Sequence, residues 1–299
     1  MKGLKPEQYD ALLNAAGDVV FHLDAEQRYA GIWGRWLAVH GLTPAMFLGK
    51  TSWEIFGEET REFFEPLNER VLAGEDITYE RWFDVPWGDR VYYQTALAPM
   101  SDADGAITGV VGVGRDITEI KRARDTLEHL ATHDALTGLP NRVSLFHALE
   151  RAAERVARGA TAMLVFADID RFKQANEIGG HAYGDELLAD IGRALREVVR
   201  APDIVARIGG DEFAVLMEGG DLQSAMKRAD ELRARVCEIG AEHGFEFDLS
   251  VGIAPIEPQM PADKALKAAD EAMYEAKSAG GGLVITAVAR QRYYPAELR

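Results

Sequence analysis

The 299-residue sequence predicts an α+β chain of two domains: an N-terminal antiparallel five-stranded sheet with helices, a helical coiled-coil linker, and a C-terminal α/β sandwich. Three observations predict it. The first 116 residues hold two strand-like runs, a helical middle and three further strand-like runs. Residues 117–134 contain neither Gly nor Pro, and from residue 135 strands alternate with helices around one internal hairpin. A composition of 47% hydrophobic and 27% charged residues is sufficient for packed cores.

In chain order, "KPEQYDALLNAAGD" reads as a short helix, with Pro6 suited to the first turn and Gly17 near the end. "VVFHLDAEQRYAGIWG" is two strands joined by the polar "DAEQ". Residues 35–74 have helical spacing broken at Thr43, Pro44, Gly49 and Gly57. "ITYERWFDV", "RVYYQTALAPM" and "AITGVVGVGRDIT" follow as strands, separated by "PWGD" and "SDADG". This order, closing on "GRDITEIKRARDTLEHL", resembles a PAS sensor domain running into a signalling helix and implies a sensor at 1–116. The resemblance does not carry ligand residues with it, so the sensor's ligand is unknown. All five tryptophans, Trp33, Trp36, Trp53, Trp82 and Trp87, fall in this half and read as core. Nothing around His22 or His40 argues for haem, and the flavin-type cysteine motif is missing.

Across 117–134, Ile117, Ile120, Arg124, Leu127, Ala131 and Asp134 recur at spacings of three and four, a coiled-coil phase with Arg124 as a charged intruder. A solvated linker helix is the alternative. Beyond it, "HDALTGLPNRVSLFHAL" leads through a helix to strand "AMLVFADID". Helix "GDELLADIGRALREVVR", the "GGDEF" hairpin, helix "SAMKRADELRARVCEIGAEH", strand "FDLSVGIAPI", helix "ADKALKAADEAMYEAKSAG" and strand "GLVITAV" complete residues 135–299 as a palm-type sandwich.

The net charge is -16 and both halves are acidic, which argues against nucleic acid or an anionic membrane as partner. The single Cys237 has no disulfide partner, and the sequence lacks a signal-peptide core or an apolar run long enough to span a membrane. A cytoplasmic location is expected.

The chemistry gathers where the apolar strand 162–167 runs into Asp168, Ile169 and Asp170. A carboxylate at the end of a buried strand is a place to hold Mg²⁺, a hard ion taking oxygen ligands. If the hairpin lies beside this strand, Asp168, Asp211 and Glu212 converge, with the Ile169 carbonyl as a further ligand. Gly209 and Gly210 let the backbone turn and a bulky ligand lie against it.

Together, "DALTGLPNR", "DIDRFKQANEIGGHAYGDELL", "RIGGDEF", "LSVGIA" and "ADEAMYEAKSAG" resemble the GGDEF-type diguanylate cyclases in order and spacing. Such enzymes condense two GTP into cyclic di-GMP, with Mg²⁺ or Mn²⁺, and release two pyrophosphates. The resemblance implies that Asp168, Asp211 and Glu212 serve the metal and catalysis, and that Asn176 and Asp185 read guanine. It implies Lys173 and Lys277 as phosphate contacts, with Phe172, His181, Gly209 and Gly210 around the nucleotide. A carboxylate suits guanine, which offers it two hydrogens where adenine does not. Taken alone, Asp185 would be an ordinary first-turn helix acid and Lys277 a solvated helix residue.

Two positions depart from the family pattern: Gly281 stands where the family has a triphosphate-contacting Arg, and Glu177 stands for Asp. Arg200 and Asp203 in "RAPD" match the inhibitory RxxD site, where product binds; a cation closing a helix is the plain alternative. The implied function is a sensor-regulated, homodimeric diguanylate cyclase under product inhibition. Its rival is a catalytically weak domain acting as a GTP or cyclic di-GMP receptor. An EAL-type phosphodiesterase domain has no room in this chain.

Overall fold

The computed structural model describes residues 6–15, 17–86, 88, 90–287 and 292–293. Trp87 and Val288, read above as core and as part of the last strand, lie outside them. Two compact units, Met1–Asp125 and Thr126–Arg299, divide the chain.

In the first unit, α1 (Pro6–Ala15) precedes the hairpin β1 (Val19–Asp24) and β2 (Tyr29–Trp33). Short helices α2 (Arg35–Val39), α3 (Ser52–Phe56) and α4 (Arg61–Leu72) follow, then β3 (Ile77–Phe83), β4 (Val91–Ser101) and β5 (Ile107–Asp116). The sheet is antiparallel throughout, in the order β2-β1-β5-β4-β3. Along β1, Val19, Phe21 and Leu23 are buried and the residues between them are half-buried, the period of a one-sided strand. Their face meets Phe47, Phe64 and Val71 in an aromatic core, with Phe64 stacked on Phe83 at 5.6 Å. Trp36 is buried in this core; Trp33, Trp53 and Trp82 are half-buried. A 60 Å³ cavity remains inside, lined by aromatic rings together with Ser52, Asn68 and Thr95.

The "DIT" at the end of β5 has a physical reason. The Asp116 carboxylate accepts the Thr118 N–H at 2.9 Å, and the Thr118 hydroxyl accepts the Tyr92 N–H at 2.8 Å. Strand pairing and helix capping thereby share one residue. Helix α5 (Thr118–Thr132) starts there and exposes Ile120, Leu127 and Leu130. Two members of the expected seam are corrected. Ile117 precedes the helix, and Asp134 follows it, its carboxylate drawn to Arg207 at 2.9 Å and to the Thr137 N–H at 2.9 Å.

The second unit holds α6 (Arg142–Val156), β6 (Ala162–Asp170), α7 (Phe172–Val198), β7 (Ile204–Gly209), β8 (Glu212–Glu218), α8 (Leu222–Glu242), β9 (Asp248–Pro255), α9 (Ala262–Ser278), β10 (Val284–Thr286) and β11 (Arg292–Tyr293). Strand order is β11-β10-β9-β6-β8-β7, with β9 and β10 parallel and the other pairs antiparallel. β6 is central and covered on both faces. Val165 and Ile169 face a core with Leu187, Ile191 and Val236 of α7 and α8, whereas Leu164 and Phe166 face Leu145, Ala269 and Met273 of α6 and α9. α9 sits directly on β9 because Gly252 carries no side chain; a Cβ there would meet the Ala269 carbonyl oxygen at 2.0 Å.

One helix differs from its sequence reading. The span α7 is two helical stretches that meet at Gly180, whose φ 80 and ψ 171 are not helical: the expected helix at Gly184 belongs to the second stretch, and the first, from Phe172, is additional to the sequence reading.

Candidate active site

The end of β6 carries Asp168 and Ile169 up to the β7–β8 turn. Asp168 stands opposite Glu212 in the β6–β8 ladder, and the Ile169 N–H donates to the Asp211 carbonyl at 3.2 Å. Gly210, with φ +55, makes the turn in the left-handed region that glycine tolerates. Arg207 holds the turn in place. Its Nε and Nη2 donate to the Gly210 carbonyl at 3.0 and 2.8 Å, while Nη1 reaches Asp134, and its side chain is only 10% exposed. Asp134 and Arg207 open the segments "DALTGLPNR" and "RIGGDEF", yet the sequence reading gave neither a role at this site and also placed Asp134 in the linker seam.

Electrostatics set the character of the strand end. Burial raises the Asp168 carboxyl above the usual carboxylate range, the hydrogen bond from Lys277 opposes that, and Asp211 and Asp170 push it up further. Burial also raises Glu212, with Asp168, Asp270 and Asp211 adding to the effect and Arg142 opposing it. Lys277 comes from α9 and donates to Asp168 Oδ1 at 2.6 Å. Burial disfavours its ammonium, yet Asp168, Asp211 and Asp170 outweigh this and raise it. Mutually repelling acids with hard oxygen donors fit a divalent cation. Among the described residues no group of three or more His, Cys, Asp or Glu side chains is arranged to hold a metal ion by itself. An ion here would therefore finish its shell with water and phosphate oxygens, the habit of Mg²⁺.

Asp170 has a different task. It accepts Ser250 Oγ at 2.8 Å and the Gly282 N–H at 2.7 Å, pinning the loop after α9. In that loop Gly281 has φ +79, and a Cβ there would lie 2.8 Å from Asp170 Oδ2.

On α7, Asn176 is half-buried and Asp185 exposed. A Cβ on Gly184 would lie 2.0 Å from Asn176 Oδ1, so the bare Gly184 lets Asn176 rest beside the segment that presents Asp185. Lys173 and His181 are exposed, and Lys173 pairs with Glu177 at 3.4 Å. Phe172, which the resemblance puts around the nucleotide, has its ring buried against Phe247 at 6.0 Å, where it packs the start of α7 onto the sheet.

Arg200 and Asp203 form a latch. Asp203 is fully buried and accepts Arg200 Nε at 3.0 Å and the Glu218 N–H at 2.9 Å. Arg200, 54% exposed, also donates to the Glu218 carbonyl at 3.2 Å and lines a groove with Lys227 and Arg228.

Residues 131–282 match the family model for the diguanylate cyclase GGDEF domain, and residues 13–122 match a PAS fold. Diguanylate cyclase DgcM of Escherichia coli K12 is 38% identical over 173 residues, 58% of this chain and 42% of that protein. Cyclic di-GMP phosphodiesterase PdeR of the same organism is 30% identical over 263 residues, 85% of this chain and 39% of that one. The chain thus spans less than half the length of these relatives. The solved coiled coil and GGDEF domain of DgcB from Caulobacter crescentus, in complex with c-di-GMP, superimposes with a TM-score of 0.50 at 28% identity, over 56% of this chain and 93% of that one. Residues 131–282, which include β6 and the glycine turn, are thus matched by family and by fold: the chain belongs to the GGDEF family of diguanylate cyclases and carries a PAS fold ahead of its GGDEF domain.

Proposed function

We propose that the chain is a sensor-regulated diguanylate cyclase that condenses two GTP into cyclic di-GMP and two pyrophosphates, acting as a homodimer under product feedback. The supporting observation is the end of β6, where Asp168, Asp211 and Glu212 raise or repel one another beside a single ammonium, Lys277. Mg²⁺ or Mn²⁺ would be held by Asp168, Asp211, Glu212 and the Ile169 carbonyl, and when bound would neutralise triphosphate charge and acidify the ribose 3′-hydroxyl.

The chain's own groups do the rest. Asn176 and Asp185 orient guanine, Lys277 transfers its contact from Asp168 to a phosphate, and the Gly209–Gly210 turn admits the phosphates. Asp211 and Glu212, at the turn facing the end of β6, help to activate the 3′-hydroxyl, whose proton leaves as it attacks. The 3′-oxygen then bonds to the α-phosphorus of the other GTP as the bond to pyrophosphate breaks, and the step occurs once in each direction. One set of guanine readers per chain serves one GTP, so two chains must face each other. The exposed Ile120, Leu127 and Leu130 on α5 offer the apolar stripe for that pairing. The substrate places the reaction in the cytoplasm, and among the described residues no helix is long and apolar enough to cross a membrane.

The receptor reading is favoured by one feature, Gly281, which offers no cation where the family has Arg. Incubation with GTP and Mg²⁺ followed by chromatography separates the two readings. One cyclic di-GMP per two GTP consumed supports the cyclase; unconsumed GTP supports the receptor.

A further inference from the structure

The bend of α7 at Gly180 is tight, and the glycines around it show how tight. In a regular helix Cβ atoms four residues apart lie about 5–6 Å from each other, yet a Cβ on Gly179 would stand 2.8 Å from that of Tyr183 and 2.3 Å from its ring. Residues eight apart in an unbroken helix are separated by about 12 Å along the axis, whereas a Cβ on Gly184 would stand 2.0 Å from Asn176 Oδ1. The two stretches therefore touch, and Asn176 on the first lies against the residue next to Asp185 on the second. An aromatic row from outside α7 grips both. The half-buried Tyr183 packs on Phe245 with ring centroids 6.1 Å apart, Phe245 stacks on Phe247 at 5.2 Å and 5°, and Phe247 meets Phe172 at 6.0 Å. Phe172 opens the first stretch and Tyr183 lies in the second, so two phenylalanines between α8 and β9 hold the bend closed. Tyr183 Oη is also 3.2 Å from His243 Nδ1 at the end of α8. That hydrogen bond forms in either tautomer, because the hydroxyl donates to a bare Nδ1 and accepts from an Nδ1–H.

We propose that Tyr183 is a positioning residue for base selectivity: without touching the nucleotide, it sets the spacing of Asn176 and Asp185 and hence the preference for guanine over adenine. The inference rests on the reading of those two residues as guanine readers. An amide and a carboxylate that read one base must be held in register by the residues behind them, because discrimination requires both to pair at once. Loosening the bend therefore erodes discrimination and leaves the phosphate contacts from β6 and α9 in place.

The test measures binding of GTP, ATP and inorganic tripolyphosphate to the full chain by calorimetry. Ca²⁺, an oxygen-seeking ion of looser geometry, replaces Mg²⁺ so that affinity is read without turnover. Tyr183→Phe should weaken GTP about three- to tenfold, the worth of one hydrogen bond, and Tyr183→Ala about 10- to 100-fold, with ATP and tripolyphosphate unchanged. His243→Phe should match Tyr183→Phe, and the double variant should be no worse than either, since both remove one shared contact. A GTP-over-ATP preference kept in Tyr183→Ala overturns the inference, as does an equal loss for all three ligands, which marks general loosening. If Tyr183→Ala does not fold, Tyr183→Phe and His243→Phe decide by the same criterion. Asp185→Ala separates the two levels. If it loses the preference while the Tyr183 variants keep it, the guanine readers stand and this inference alone falls; if it keeps the preference, or wild type has none, the guanine reading falls and takes this inference with it.

Discussion

Along β1 of the five-stranded sheet buried and half-buried residues alternate, whereas β6 of the six-stranded sheet is buried from Ala162 through Ile169, Asp168 included. A one-sided sheet can place polar groups inside its core and pair them there, as Ser52 does with Tyr29 at 3.4 Å and Asn68 with Gln27 at 3.1 Å. In the sheet covered on both faces the buried acid stands instead at a strand end, Asp168 on β6, where it meets its neighbours' charge. The first arrangement leaves a small cavity within the core, the second a cluster of mutually repelling acids at the end of a central strand.

The largest expected effect tests that cluster. Asp168→Ala or Asp211→Ala should lower turnover at least about 1,000-fold, the worth of several kcal/mol of transition-state stabilisation, as measured by cyclic di-GMP yield. Near-normal yield from either variant would sink the assignment. The same site has a pH signature. Raised carboxyls in Asp168 and Glu212 mean that ionisation costs the folded state, so the stability linked to them is present at low pH and lost as pH rises through their raised pKa values. Asp168→Asn should therefore raise the Tm of nucleotide-free protein at neutral pH. That gain should disappear on acidification.

The sensor core makes the contrasting test. Phe47 is 1% exposed, and Phe47→Ala should cost about 3–5 kcal/mol, with loss of packing around the cavity. All five tryptophans belong to this half, so tryptophan fluorescence during urea unfolding reports on the sensor selectively. An unchanged fluorescence midpoint would contradict the packing.

Between the two lies α5. A heptad insertion within it should preserve most cyclase activity, while an insertion of two or three residues should change it sharply, because side chains on a coiled-coil seam return to phase only every heptad. Equal activity at all insertion lengths would rule out a paired helix. A smaller effect concerns the base. Asp185 is exposed, so Asp185→Ala should narrow GTP-over-ATP preference by about 10- to 100-fold, measured as a ratio of kcat/KM values.

Much of this architecture was legible because period and punctuation are local. β6 declared itself as an unbroken apolar run ending in acids, and the glycine turn marked the hairpin that faces it. What could not be read depends on partners distant in sequence. Asp134 fits a heptad by spacing, yet Arg207, more than seventy residues away, takes its carboxylate. Phe172 precedes the guanine readers in sequence, and its ring's packing partner, Phe247, lies far along the chain. The short helical stretch from Phe172 was hidden by the two glycines that follow it, of which Gly180 separates it from the next helix. The task of Asp170 was equally hidden, because Ser250 Oγ and the Gly282 N–H, which donate to its two oxygens, lie about eighty or more residues on.

The smallest effects separate regulation from architecture in the Arg200–Asp203 pair. Arg200 is 54% exposed, so its ion pair contributes about 0–1 kcal/mol, and Arg200→Ala should leave the Tm nearly unchanged. Asp203 is fully buried and is the acceptor for the Glu218 N–H; Asp203→Ala should cost about 1–3 kcal/mol by stranding that donor. If the groove beside Arg200, Lys227 and Arg228 binds product, Arg200→Ala alone should raise steady-state cyclic di-GMP yield, because a guanidinium that can engage phosphate or a guanine edge is gone while the latch beneath it stays folded. Measuring inhibition by added cyclic di-GMP in both forms decides the matter. Equal inhibition of wild type and Arg200→Ala would reduce the pair to a strand latch, and a large Tm loss in Arg200→Ala would show that the exposed guanidinium supports the fold after all.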